Sequence, residues 1–323
     1  MPGDQKPNCS TLCQPWYNFD DMRICPARKN MLLLLLFFIA LVSASSLSSG
    51  HAGAAGQKNF MWKVRSKTAT VYLLGSIHYM KKEAYPLNIV IEDAFSKSNV
   101  LAVEANVNDP DKLYFSRLID QAFYPGEDTL EKHVSRQTYE LVTRAFDKYG
   151  LPAEILAKER PWFLALTLTA LELLKSGYDP QYGVDMHFLT KAGEKKIVEL
   201  ESLEQQVTLL SGFSDAEQEA FLVHTIKELD SMSAESDILM RTWKAGDASG
   251  LESILSKNAG SDQGMAAVYE KILYARNRSM ASRVEGLLRS NDTCFVVVGA
   301  AHLVGNRGIV ELLRTKGYSV EQM

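Results

Sequence analysis

The chain has 323 residues, 46% hydrophobic and 23% charged, with a formal net charge of −4. That balance belongs to a folded globular protein and excludes the low-hydrophobicity, high-charge class of disordered chains. A mildly acidic chain with no basic stripe offers no long-range attraction for phosphate backbones, so no nucleic-acid partner is expected.

The first stretch stands apart from the rest. Arg28 and Lys29 precede an apolar run from Met31 to Val42, which gives way to small residues from Ser43 to Gly56. A positive region, a short apolar core and a small-residue exit compose a secretory signal peptide. The core is shorter than the roughly 20 apolar residues of a comfortable transmembrane helix. An uncleaved inner-membrane anchor facing the periplasm is the alternative. The region before the core is long, and Met22 and Met31 are alternative translation starts. Residues 1–57 are thus read as signal or anchor plus spacer, and residues 58–323 as one domain, exported to the periplasm or secreted. Transient membrane association would run through the N-terminal segment. Cys9, Cys13 and Cys25 fall before the apolar run, which leaves Cys294 as a buried, inert thiol and no disulfide framework.

In the globular part, residues 60–65 and 70–74 are β-prone and form a hairpin. Helical spacing follows at Leu87, Val90, Ile91, Ala94 and Phe95, and then a strand at 99–103. Thr129 is expected to open a helix, and residues 135–149 continue helically. Pro161 starts a very apolar helix that ends at Ser176-Gly177. A strand is expected at 196–200, and helices at 203–210, 215–229, 234–244, 248–257 and 264–289. The chain closes with a strand (294–298), a helix (308–316) and a strand (318–321). The fold class is therefore α/β (α+β): a central mixed sheet from both ends of the chain, with a large helical insert.

One self-similarity carries chemistry. Thr70 to Leu74 runs into Gly75-Ser-Ile-His78, and Cys294 to Val298 runs into Gly299-Ala-Ala-His302. Each is a buried β run, a Gly where the backbone bends, and a His beyond the carboxyl end of the strand, the edge where α/β sheets bind ligands. If the two strands are neighbours, both imidazoles enter one crevice. Glu104 leaves a third strand end. Two His and one carboxylate suit a divalent ion with open coordination positions. Asp185 and His187 are weaker candidates, Asp185 as a helix cap or a site group. Glu199 and Glu201 flank Leu200, and Glu201 is preferred because it falls after the strand. His133 and His224 are read as solvated helix residues.

Leu74 to His78, Glu104, Arg160-Pro-Trp162, Gly183 to Phe188, Leu200 to Gln205, Trp243 to Asp247, Arg276-Asn277 and Val298 to Gly308 occur in this order. Together they resemble the TraB/PrgY/GumN family, in its bacterial GumN-like branch, from about Phe60 to the C-terminus. The family is similar to Tiki, a metal-dependent protease, and more distantly to erythromycin esterase and the haem-binding ChaN proteins. The resemblance implies a shared α/β fold and a metal site of His78, Glu104 and His302. Arg276 and Asn277 match a further family motif. The implied chemistry is hydrolysis of an exported or envelope peptide or protein, assisted by Mn, Co or Zn. Glu104 would be a ligand or the general base, and Arg276 an oxyanion stabiliser or a helix-surface ion pair. A non-catalytic peptide- or haem-binding envelope protein, and an accessory protein with merely packed histidines, are the competing readings. There is no His-Glu-x-x-His and no Gly-x-Ser-x-Gly, so zincin and serine-hydrolase chemistry is not indicated.

Overall fold

A computed structural model describes residues 58–107, 120–150, 157–259 and 263–323, and the expected export segment at 1–57 lies outside them. Strand β1 (Met61–Arg65) turns into β2 (Thr70–Ser76). Helix α1 (Ile89–Ser96) is capped by Asn88, whose side chain accepts from Val90 N–H, and it leads to β3 (Val100–Val103). Next come α2 (Arg136–Tyr149), α3 (Pro161–Lys175), α4 (Val184–Thr190) and β4 (Lys196–Glu199). A helical run follows: α5 (Leu203–Ser211), α6 (Asp215–Glu228), α7 (Met232–Lys244), α8 (Ala248–Ala259), α9 (Gln263–Tyr269) and α10 (Arg276–Leu288). Strand β5 (Thr293–Gly299), α11 (Ile309–Thr315) and β6 (Ser319–Gln322) complete the chain.

Six strands form one mixed sheet in the order β4-β3-β5-β2-β1-β6. The β1–β2 hairpin and the β1–β6 pair are antiparallel, while β2–β5, β5–β3 and β3–β4 are parallel. The two strands that carry Gly-x-x-His are therefore neighbours, with Gly75 opposite Val298 and Ser76 opposite Gly299. The Val296 to Val298 run is fully buried, as the centre of a parallel sheet requires. Cys294 lies in the same strand, and burial pushes its thiol up to about 11.

Helices α5 and α6 begin with capping boxes, Ser202 with Gln205 and Ser214 with Glu217. Helix α3 has Pro161 at its start and Trp162, Phe163, Leu164 and Leu168 buried. Its burial all round explains the lack of a polar face in its sequence. Trp243 of α7 donates from Nε1 to the carbonyl of Gly75 (2.6 Å), which fixes the bend that leads to His78.

Two elements differ from expectation. Thr129 makes no cap bond and precedes only a 3-10 turn at Leu130–Lys132. The helix starts later, at Ser135, whose hydroxyl accepts from Thr138 N–H. The helix expected over 264–289 is interrupted by a π turn at Glu270–Ala275. Apolar spacing does not reveal such a turn, because inserting one residue merely rotates the stripe. Among the described residues, no helix is long and apolar enough to cross a membrane.

Glu159 is buried just before α3 and accepts a hydrogen bond from Thr167 Oγ1 (2.8 Å). Burial pushes its carboxyl up to about 8 against that bond. The native state thus holds a proton that the unfolded chain releases near 4.5. This contribution to stability is full below that pH and is lost as pH rises through 8. Urea midpoints measured from pH 5 to 9 should therefore fall more steeply for the native sequence than for Glu159→Gln. Parallel curves would contradict the assignment.

Candidate functional site

The carboxyl ends of β2, β3, β4 and β5 open on one edge of the sheet. His78 follows β2, Glu104 follows β3, Glu201 follows β4, and Gly299 with His302 closes β5. His78, Glu104 and His302 are all buried. Gly299 marks where they meet. A Cβ built on it would lie 3.2 Å from Glu104 Oε1, 3.4 Å from His302 Cδ2 and 3.7 Å from His78 Nε2.

Each imidazole is oriented from behind. His78 Nδ1 donates to Asp185 Oδ1 at 2.9 Å. Asn277 gives its amide N–H to the Arg307 carbonyl (2.9 Å), so its Oδ1 faces His302 Nδ1 at 2.6 Å. The hydrogen of His302 therefore sits on Nδ1, and the Nε2 lone pair faces Glu104 Oε1 across 3.6 Å. Two acceptors thus confront each other.

Glu104 is held by two donors. Gly299 N–H donates to Oε1 (2.5 Å), and Arg276 Nη2 donates to Oε2 (2.8 Å). Arg276 also gives Nε and Nη2 to Glu201 Oε2 (2.9 and 2.7 Å) and Nη1 to the Ile272 carbonyl (2.9 Å). That carbonyl belongs to the π turn, so the irregular turn and the guanidinium secure each other. Four of the five guanidinium N–H groups are engaged. At 5% exposure, Arg276 is not a helix-surface ion pair. It is a positioning residue that locks Glu104.

The electrostatics follow. Burial opposes charge on Glu104, yet His302, Arg276 and His78, with the Gly299 N–H, outweigh it and hold the carboxyl at about 2. Burial pushes His302 down to about 3 in spite of Glu104, so its ring is neutral at neutral pH. Burial also acts to lower His78, but Asp185 and then Glu104 outweigh it and raise the ring above its ordinary value.

Asp185 joins the site and His187 does not. Two helical steps separate their side chains by about 200°, and His187 Nε2 instead meets Glu92 Oε1 at 2.8 Å. Glu199 accepts from Asn106 N–H (2.6 Å), which leaves Glu201 for Arg276. Trp162 is fully buried in the core. Sequence reasoning missed the Arg307 carbonyl, the π turn and the role of Gly183. A Cβ on Gly183 would come within 2.4 Å of the His78 carbonyl, so only glycine lets the start of α4 approach β2 this closely. Val184 N–H then bonds the Ile77 carbonyl (3.1 Å), which brings Asp185 onto His78. The glycine beside Val184-Asp185 was the available signal.

Among the described residues, no group of three or more His, Cys, Asp or Glu side chains is set to hold a metal ion as it stands. The donor chemistry fits one nonetheless. His78 and His302, each backed through Nδ1, border the same space as an ionised carboxylate, and these are donor types that borderline divalent cations accept.

The TraB/PrgY/gumN family model matches residues 60–322. Protein YbaP of Escherichia coli (strain K12), itself described as uncharacterized, is 23% identical over 245 residues, 75% of this chain and 87% of its own length. The metalloprotease TIKI homolog of Amphimedon queenslandica is 23% identical over 350 residues, covering 91% of this chain and 67% of its own length. Metalloprotease TIKI2 of Danio rerio is 24% identical over 317 residues, with 81% of this chain and 60% of its own length covered. No solved structure gives a significant match.

Replacing Arg276 by Met keeps bulk but leaves Glu104 and Glu201 buried without their partner. Breaking a buried pair from one side costs about 3–5 kcal/mol. Urea unfolding of Arg276→Met should show a loss of that order. A loss below about 1 kcal/mol, the usual worth of an exposed pair, would contradict the buried lock.

Proposed function

The chain belongs to the TraB/PrgY/gumN family, and on that premise we propose that it is a metal-dependent hydrolase of peptide bonds. The observation that carries this reading is the convergence of His78 Nε2, His302 and Glu104 on the space beside Gly299. His78 and His302, with Glu104, would hold the ion, of the Mn, Co or Zn kind. The relatives named metalloprotease support a metal and a peptide substrate.

The charge count supports a cation as well. Glu104, Glu201 and Asp185 are three carboxylates against the Arg276 guanidinium, with His302 neutral. Even with His78 protonated the cluster retains negative charge. Buried charge in excess calls for a counter-ion. A divalent ion would supply Lewis-acid polarisation of a carbonyl and make water acidic near neutrality.

The chain's own residues divide the remaining tasks. Asp185 and Asn277 hold the Nδ1 atoms and so fix the orientation of both rings. Arg276, braced by Glu201, keeps Glu104 in place. Glu104, clamped by Arg276 and the Gly299 N–H, would serve as a ligand. With four of its N–H groups committed, Arg276 is poorly placed to stabilise an oxyanion.

The substrate is an exported or envelope peptide or protein. Support for export comes from the apolar segment Met31 to Val42 with its basic flank, which would direct the domain to the periplasm or anchor it to the inner membrane.

The test uses the purified chain, His78→Ala, His302→Ala and Gly299→Ala. The methyl of Gly299→Ala makes only tight-to-ordinary contacts, so it fills the space between the rings at little cost to the fold. The native chain should gain thermal stability with Mn²⁺, Co²⁺ or Zn²⁺ and cleave members of a peptide library, and all three variants should lose both properties. Equal cleavage by all four proteins, or no metal response in the native chain, would overturn the proposal.

A further inference from the structure

A cavity of about 50 Å³ lies directly against the site, with His78 in its wall. Ser76 and Ile77, which precede His78, and Ala300 and Ala301, which precede His302, border it too. The cavity is thus continuous with both Gly-x-x-His segments. Apolar side chains from three helices make up much of the rest, Leu173 of α3, Met232 and Leu239 of α7, and Leu251 and Leu255 of α8, with Tyr79, Tyr178 and Ser236 beside them. Two carboxyl side chains, Glu228 and Glu235, border it as well.

We propose that this cavity is the specificity pocket of the site, taking one aliphatic side chain of the peptide next to the bond presented to His78 and His302. The inference rests on the hydrolase reading for what is presented, and on the cavity alone for what it selects. The size decides the class of occupant. The volume exceeds the roughly 10–15 Å³ that one water needs and falls well short of the roughly 150 Å³ of a cavity that takes benzene. It therefore suits a Leu or Val side chain and rejects a ring. The walls offer methyl and methylene groups, which favour an apolar guest by removing its surface from water. The two acidic side chains disfavour Asp and Glu in the same place.

The arrangement explains why α7 and α8 fold over the end of the sheet. Trp243, also of α7, bonds the Gly75 carbonyl at the root of the same segment. The helix that walls the pocket is tied to the bend that carries His78.

The experiment separates the pocket from the chemistry. Blocked tripeptides with Leu, Ala, Phe or Asp in the middle are titrated calorimetrically into the full chain in EDTA, so that binding is read without turnover. Leu should bind about tenfold more tightly than Ala, the scale of apolar discrimination in a pocket, with Phe and Asp weaker than Leu. Leu239→Trp, which fills the cavity, should abolish the preference. Leu239→Ala, which enlarges it, should admit Phe. Equal binding of Leu and Ala, or an unchanged preference in both Leu239 variants, would overturn the pocket. Cleavage with metal but without Leu preference would also overturn it and leave the hydrolase reading standing. Leu preference in binding with no metal-dependent cleavage would remove the hydrolase reading and leave the pocket.

Discussion

The site depends on one buried arrangement, the carboxylate of Glu104 clamped between the Arg276 guanidinium and the Gly299 N–H. Three distant parts of the chain meet at this carboxylate: the end of β3, the start of α10 and the end of β5. Taking these charges out of water is expensive, and such pairs often stabilise a fold no better than packed apolar residues would. Their clearest effect here is on position rather than on stability. The clamp holds an ionised oxygen against a neutral imidazole, both of them buried.

The same logic runs outward from the clamp. Arg276 is held by Glu201 and by a carbonyl of the π turn, and Asn277 beside it orients His302. One irregular turn therefore places two consecutive side chains on two different members of the site. On the far side, Gly183 lets α4 approach β2, and Asp185 fixes His78. Each ring is backed by a hydrogen-bond acceptor and the carboxylate by a cation, so every member of the cluster is held in one orientation.

Much of this was legible in the sequence, and for identifiable reasons. The strands announced themselves as short apolar β-branched runs, and the repeated Gly-x-x-His at two of them was visible because the β run, the bend and the ring are local features. That β2 and β5 are neighbours makes those local features meet. The choice between Asp185 and His187 was not legible, since both lie on one short helix and only its rotation, set by Gly183 against the His78 carbonyl, decides between them. Nor was the Glu201–Arg276 pair, whose members are 75 residues apart and leave no periodic trace. The π turn escaped because apolar periodicity does not register a single inserted residue. The bond from Trp243 to Gly75, which ties the helical insert to the sheet, is likewise a tertiary fact.

The central claim is that rings from opposite ends of the polypeptide and one acidic side chain form a common centre for a cation. Anomalous diffraction from crystals grown with Mn²⁺ or Co²⁺ tests it most directly. The account predicts a single strong peak beside Gly299, touching Nε2 of both His78 and His302. A peak elsewhere, or none at that position at full metal concentration, would contradict it.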